Sequence, residues 1–174
     1  MSAAPDTVAA GNHVTHREPV TEGMAQEGGS GLPGEVTSFV GRRREIAAVK
    51  RCLQSSRLVT VTGPGGVGKT RIALRVAAEV RRVFADGVRF AELSGLTDAG
   101  QLEQAVVRAL EPGDVSRRRG IRALAAQVAD RQLLLVLDAC EHLVDATAQV
   151  VQVLLEAGPE IRVLVTSRQY LGVP

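Results

Sequence analysis

The chain has 174 residues, of which 45% are apolar and 23% charged, so it holds one globular domain, or one domain and a tail. A formal net charge of +2 is too balanced for nucleic-acid binding by bulk charge. The longest strongly apolar run, residues 133–137, is far below the ~20 residues that cross a bilayer, so neither a membrane nor a nucleic acid is the expected partner.

Residues 1–34 mix Gly, Ala, Pro, Thr, Glu and His without helical or strand periodicity, and read as a disordered tail. His13 and His16 within it read as solvated side chains. The N-terminus lacks a basic stretch followed by an apolar one, and Cys52 and Cys140 are too few for a disulfide framework. The expected location is the reducing cytoplasm.

Residues 35–174 form the second unit, in which the two regular periods alternate. Ile46, Val49 and Leu53 place a short helix over residues 44–53. Residues 58–62 are rich in β-branched types and predict a strand. Ile72, Val76, Val80 and Phe84 recur every four residues and predict a helix over 69–85. A strand follows at 87–93, then helices at 99–110 and around Ile121, Leu124, Ala125 and Val128. Residues 133–137 are continuously apolar, as in a strand buried on both faces. A helix over 141–157 stops at Gly158-Pro159, and residues 161–165 make the last strand. This alternation predicts an α/β sandwich of three layers around a parallel sheet of about four strands.

Gly63-Pro64-Gly65-Gly66-Val67-Gly68-Lys69-Thr70 matches G-x-x-x-x-G-K-[ST] between a strand and a helix. Glycines there let backbone N–H groups approach phosphate oxygens. The following helix directs its positive end at the same phosphates. Lys69 can reach the β- and γ-phosphates, and the Thr70 hydroxyl can ligate Mg²⁺. Asp138 ends the apolar strand and would emerge beside this loop as a second Mg²⁺ ligand. Glu141, three residues on, either orients an attacking water or complements the dipole of a helix first turn. Thr166-Ser167-Arg168 ends the last strand, and Arg168 can pair with phosphate charge. The basic runs 42–44 and 117–119 carry no aromatic stacking partners, which argues against nucleic-acid contact.

Phe39-Val40-Gly41-Arg42-x-x-Glu45, the run from Arg57 through the glycine loop to Arg71, the stretch from Leu135 to Leu143, and Thr166-Ser167-Arg168 together resemble the STAND-type, NB-ARC-like P-loop ATPase domain of bacterial ATP-binding transcriptional regulators. The resemblance implies a P-loop core in which the sensor strand lies between the phosphate-loop strand and the Walker B strand. It places Val40, Gly41 and Arg42 near adenine and sugar, Gly63 to Thr70 and Arg71 around the phosphates, Asp138 as Walker B aspartate, and Arg168 as first sensor. It also implies ADP when off, ATP when on, and self-association or attached regulatory domains. Ala139 stands where many relatives carry a second acid or an asparagine, so slow or absent hydrolysis is expected. The fifth strand, helical lid and winged helix of the family lie beyond Pro174, and the domain is therefore expected to be incomplete. Two further readings stay open: a competent ATPase that uses Glu141, and a small-molecule kinase.

Overall fold

The computed structural model describes residues 6–9, 32, 41–110 and 120–171. In chain order its elements are β1 (Asp6–Ala9), α1 (Arg43–Ser55), β2 (Leu58–Thr62), α2 (Lys69–Val80), a 3-10 turn (Arg81–Val83), β3 (Val88–Glu92), α3 (Ala99–Leu110), α4 (Ile121–Val128), β4 (Leu134–Asp138), α5 (Val144–Ala157) and β5 (Arg162–Ser167). The five strands form one parallel sheet in the order β1-β2-β5-β4-β3.

Strand periodicity explains the three layers. Leu135 and Leu137 of β4 face α3, α4 and α5, while Leu134 and Val136 face α1 and α2. The same alternation puts Val163 and Val165 on the first face and Leu164 on the second. All of these side chains are fully buried, each contributing about 1.5–3 kcal/mol. A strand apolar on both faces is stable only with helices on both, and that requirement creates the sandwich.

Four strands and five helices stand where periodicity predicts them, with three differences that matter. Asp6–Ala9 lies in the segment read as a disordered tail, yet it pairs with β2 from Asp6↔Val59 to Ala9↔Thr62. Parallel edge pairing satisfies backbone groups without demanding an apolar pattern, so periodicity alone carries no signal for it. The helix expected to reach residue 85 ends at Val80 and tightens into the 3-10 turn. The helix expected from residue 141 begins at Val144, which leaves Glu141 in the preceding turn. The basic run 117–119 lies outside the described residues.

Sheet order positions the chemistry. Interposing β5 between β2 and β4 aligns the ends of three strands at one edge: Thr62 lies opposite Ser167, and Leu137 opposite Val165. On the far side, Glu92 of β3 lies opposite Asp138. Among the described residues no helix is long and apolar enough to cross a membrane.

The opposite end of the sheet is closed by packing. A Cβ on Gly158, after α5, would lie 2.6 Å from Ile161 Cδ1 and 2.8 Å from the Ala129 carbonyl oxygen. The carbonyl belongs to backbone that cannot step aside. Gly158→Ala is therefore expected to destabilise the fold by about 1–3 kcal/mol, read from the midpoint of urea unfolding; an unchanged midpoint would contradict this packing.

Candidate functional site

The chain leaves β2 at Thr62 and turns through Gly63–Gly68 into α2. Gly66 (φ +78°) and Gly68 (φ +87°) are left-handed, and a Cβ at either would meet nothing within 4 Å. Their backbone therefore borders open space, as a cradle for an anion requires. Val67 is half-buried against the α1–α2 core and anchors the loop.

Lys69 opens α2 but points back along the loop. Its ammonium donates to the carbonyl oxygens of Gly63 and Pro64, both at 3.0 Å, and the residue is only 8% exposed. A buried cation is tolerable only when such groups replace its water. Thr70, the next residue, turns its hydroxyl to Asp138, 2.8 Å from each carboxylate oxygen.

Asp138 is buried and heavily partnered. The Thr166 hydroxyl also donates to it. Thr166 in turn accepts the N–H of Ala139 on its hydroxyl, at 3.0 Å, and that of Cys140 on its carbonyl, at 3.2 Å. Ala139 is left-handed at φ +61°, a conformation that costs a non-glycine residue about 1–2 kcal/mol. This turn swings the chain away from the sheet edge, where the Asp138 carboxylate is held by Thr70 and Thr166. Burial pushes the Asp138 carboxyl above the ordinary carboxylate range; hydrogen bonds from Thr166 and Thr70 pull it back, and the charges of Glu92 and Glu141 raise it.

Arg168 lies just past β5. Its Nε is 3.1 Å from Glu141 Oε1, and its Nη2 is 3.3 Å from where a Cβ on Gly65 would stand. The guanidinium thus spans the phosphate loop and Glu141.

The structure brings together Gly63 to Gly68, Lys69, Thr70, Asp138, Glu141 and Arg168. It places Arg71 on the exposed face of α2's first turn. Gly41 (φ +93°) and Arg42 (φ +55°) form a left-handed approach to α1, with Arg42 Nη1 buried and unpartnered. Val40 lies outside the described residues.

Two residues play parts that motif reading did not give them. Thr166 holds Asp138 rather than facing a phosphate. Glu92 adds negative charge through strand register, a signal that needs the strand order. Glu141, being outside the helix, cannot act as a first-turn dipole partner. His142 beside it is exposed.

The donor set fits Mg²⁺. Thr70 and Asp138 supply hard oxygens, and such a site is ordinarily completed by waters and phosphate oxygens. Among the described residues no group of three His, Cys, Asp or Glu could hold a metal by itself.

A family model for the AAA ATPase domain matches residues 38–166. The chain is 39% identical over 142 residues to an uncharacterized protein of Mycobacterium tuberculosis, an overlap covering 79% of this chain and 35% of that protein. It is 40% identical over 127 residues to a second protein of that organism, named provisionally as an HTH-type transcriptional regulator; 72% of this chain and 14% of the relative are covered. The regulatory protein AfsR of Streptomyces griseus is 30% identical over 150 residues, covering 79% of this chain and 15% of AfsR. The chain thus spans about a third or less of the length of these relatives. Among solved structures, a STAND protein with a tetratricopeptide repeat sensor from Pyrococcus horikoshii shares the fold, with a TM-score of 0.54 at 18% identity over 83% of this chain and 23% of that one. A sheet edge carrying a glycine loop, a buried lysine and a threonine–aspartate pair, together with a family match over more than half its length, makes this chain a member of the AAA ATPase domain family.

Proposed function

We propose that the chain is an adenine-nucleotide switch domain of a STAND-type regulator, which binds ATP or ADP with Mg²⁺ and hydrolyses ATP slowly or not at all. The observation that carries this reading is Lys69, whose buried ammonium rests on two carbonyls of its own loop. Those carbonyls stand in for phosphate oxygens. A polyphosphate in the cradle offers the ammonium full negative charge instead of dipoles.

Each residue then has a physical task. The N–H groups of the loop and the first turn of α2 bind phosphate oxygens. Thr70 and Asp138 would hold Mg²⁺, which neutralises phosphate charge when bound. Thr166 keeps the Asp138 carboxylate oriented. Gly41, Arg42 and, by resemblance, Val40 and Arg71 would contact base, sugar or phosphate. Because little covalent work is asked of the protein, the site works by positioning and electrostatics. Attached regulatory domains or self-association would read the bound state, and the setting is cytoplasmic.

A second reading, a competent ATPase, is favoured by one observation. Glu141 lies near enough to raise the Asp138 pKa and keeps a buried, unpartnered Oε2 that could orient a water. Release of phosphate from ATP separates the two readings.

Lys69→Ala removes charge-assisted hydrogen bonds worth about 1.5–3 kcal/mol. ADP affinity, measured by titration calorimetry, should therefore fall at least about tenfold. Equal binding by both proteins would refute the site. Asp138 gives a second test, through stability. Its folded-state pKa is raised, so the folded form holds the proton more tightly than the unfolded chain, and its carboxylate opposes folding above the ordinary carboxylate pKa. Asp138→Asn should raise the melting temperature of the nucleotide-free protein at pH 7, and the gain should vanish as pH falls below about 4. The same change should abolish any strengthening of nucleotide binding by Mg²⁺. A lower melting temperature at pH 7 would contradict this.

A further inference from the structure

The outer face of α1 and α2 carries an open groove of about 420 Å³ that shares no lining residue with the phosphate loop. Ile46, nearly buried, and Ala47, half-buried, give it an apolar floor. Arg43, Lys50 and Arg51 line it from α1, and Glu79 of α2 is the one acid among its described lining residues. That acid is already matched: it accepts hydrogen bonds from Lys50 at 2.9 Å and from Arg75 Nε at 3.0 Å. Arg43 and Arg51 are exposed, and among the described residues no acid pairs with either. Three cations against one acid leave a surplus of +2 in the groove, equal to that of the whole chain. A surplus this local gives the surface a preference for an anionic partner.

We infer that this groove docks a short acidic peptide segment of a partner protein, one with an aliphatic side chain between two carboxylates. Spacing carries the choice. Arg43 and Arg51 stand eight residues apart on α1, a rise of about 12 Å. In an extended peptide, residues i, i+2 and i+4 share a face, and the first and last lie about 13 Å apart. A segment Glu-x-Leu-x-Glu therefore sets one carboxylate at each guanidinium, with the leucine over Ile46 and Ala47 between them. Lys50 serves the incoming acid in competition with Glu79. A nucleic acid fits less well: it brings phosphates but no aliphatic side chain, and the groove has no aromatic lining residue on which a base could stack. The inference is independent of the nucleotide-site reading.

The test is fluorescence anisotropy of the labelled peptide Gly-Glu-Ser-Leu-Ser-Glu-Gly titrated with the full chain, which should show saturable binding. Arg43→Glu and Arg51→Glu should each weaken it about fivefold, and the double variant about twentyfold or more. Glu79→Gln, which releases Lys50, should strengthen it about twofold. A peptide with serine in place of leucine should bind about fivefold more weakly, and one with lysine in place of both glutamates should not bind. All three substituted side chains are exposed, and thermal melts check that each variant keeps its fold. Absence of saturable binding by the unmodified chain overturns the inference. So does equal binding by the double charge reversal or by the lysine peptide. An oligothymidine that binds more tightly than the peptide, and is lost in the same variants, would give the groove to nucleic acid. A dimer of the unmodified chain that the double reversal dissolves would give it to a second copy. Either result contradicts the inference.

Discussion

A buried ammonium group organises this domain. Lys69 is almost wholly removed from water, yet among the described residues no carboxylate pairs with it; its bonds go to two carbonyls of the loop that delivers it. Carbonyl dipoles make a cation tolerable but do not neutralise it. The result is a pocket of uncompensated positive charge at the start of a helix, lined by backbone that curves around open space. Such an arrangement is poor for stability on its own. On the proposed function, a polyanion in the loop would make it favourable.

The opposite sign is handled in the same way across the edge. Asp138 ends the most apolar strand of the sheet, where its carboxylate is desolvated and lies near Glu92 and Glu141. Two threonine hydroxyls steady it, one from the phosphate loop and one from the neighbouring strand. A strained alanine then turns the chain aside. The ammonium and the carboxylate are both buried on dipolar partners, and the proposed magnesium–nucleotide complex would carry charges that complement both. The packed layers hold these groups in place: β4 and β5, fully buried on both faces, cannot shift without opening two cores at once.

Much of this was legible in the sequence because the signals were local. The glycine loop with Lys69 and Thr70 declares its geometry by residue type. Residues 133–137 announce a strand buried on both faces, and the aspartate at its end follows directly. Strand order was accessible only through family resemblance, since adjacency of β2 and β5 depends on contacts a hundred residues apart. The parts that escaped reading are those with no local period. Asp6–Ala9 gains its place by backbone pairing, which leaves no side-chain pattern. The start of α5 could not be set, because the polar run before Val144 suits a first turn as well as a loop. Thr166 and Glu92 acquire their roles from register across the sheet, and nothing in their own neighbourhoods distinguishes them from solvated strand ends.

Backbone amide shifts on adding Mg·ADP to isotopically labelled protein test the central claim most directly. A polyphosphate held by the loop should move the resonances of Gly65, Gly66, Gly68, Lys69 and Thr70 most, with smaller changes at Ala139 and Arg168. A shallow groove on the outer face of α1 and α2, lined by Arg43, Lys50, Arg51 and Glu79 among others, shares no lining residue with the loop. Shifts confined to that groove, or a loop that stays silent at saturating nucleotide, would contradict the account.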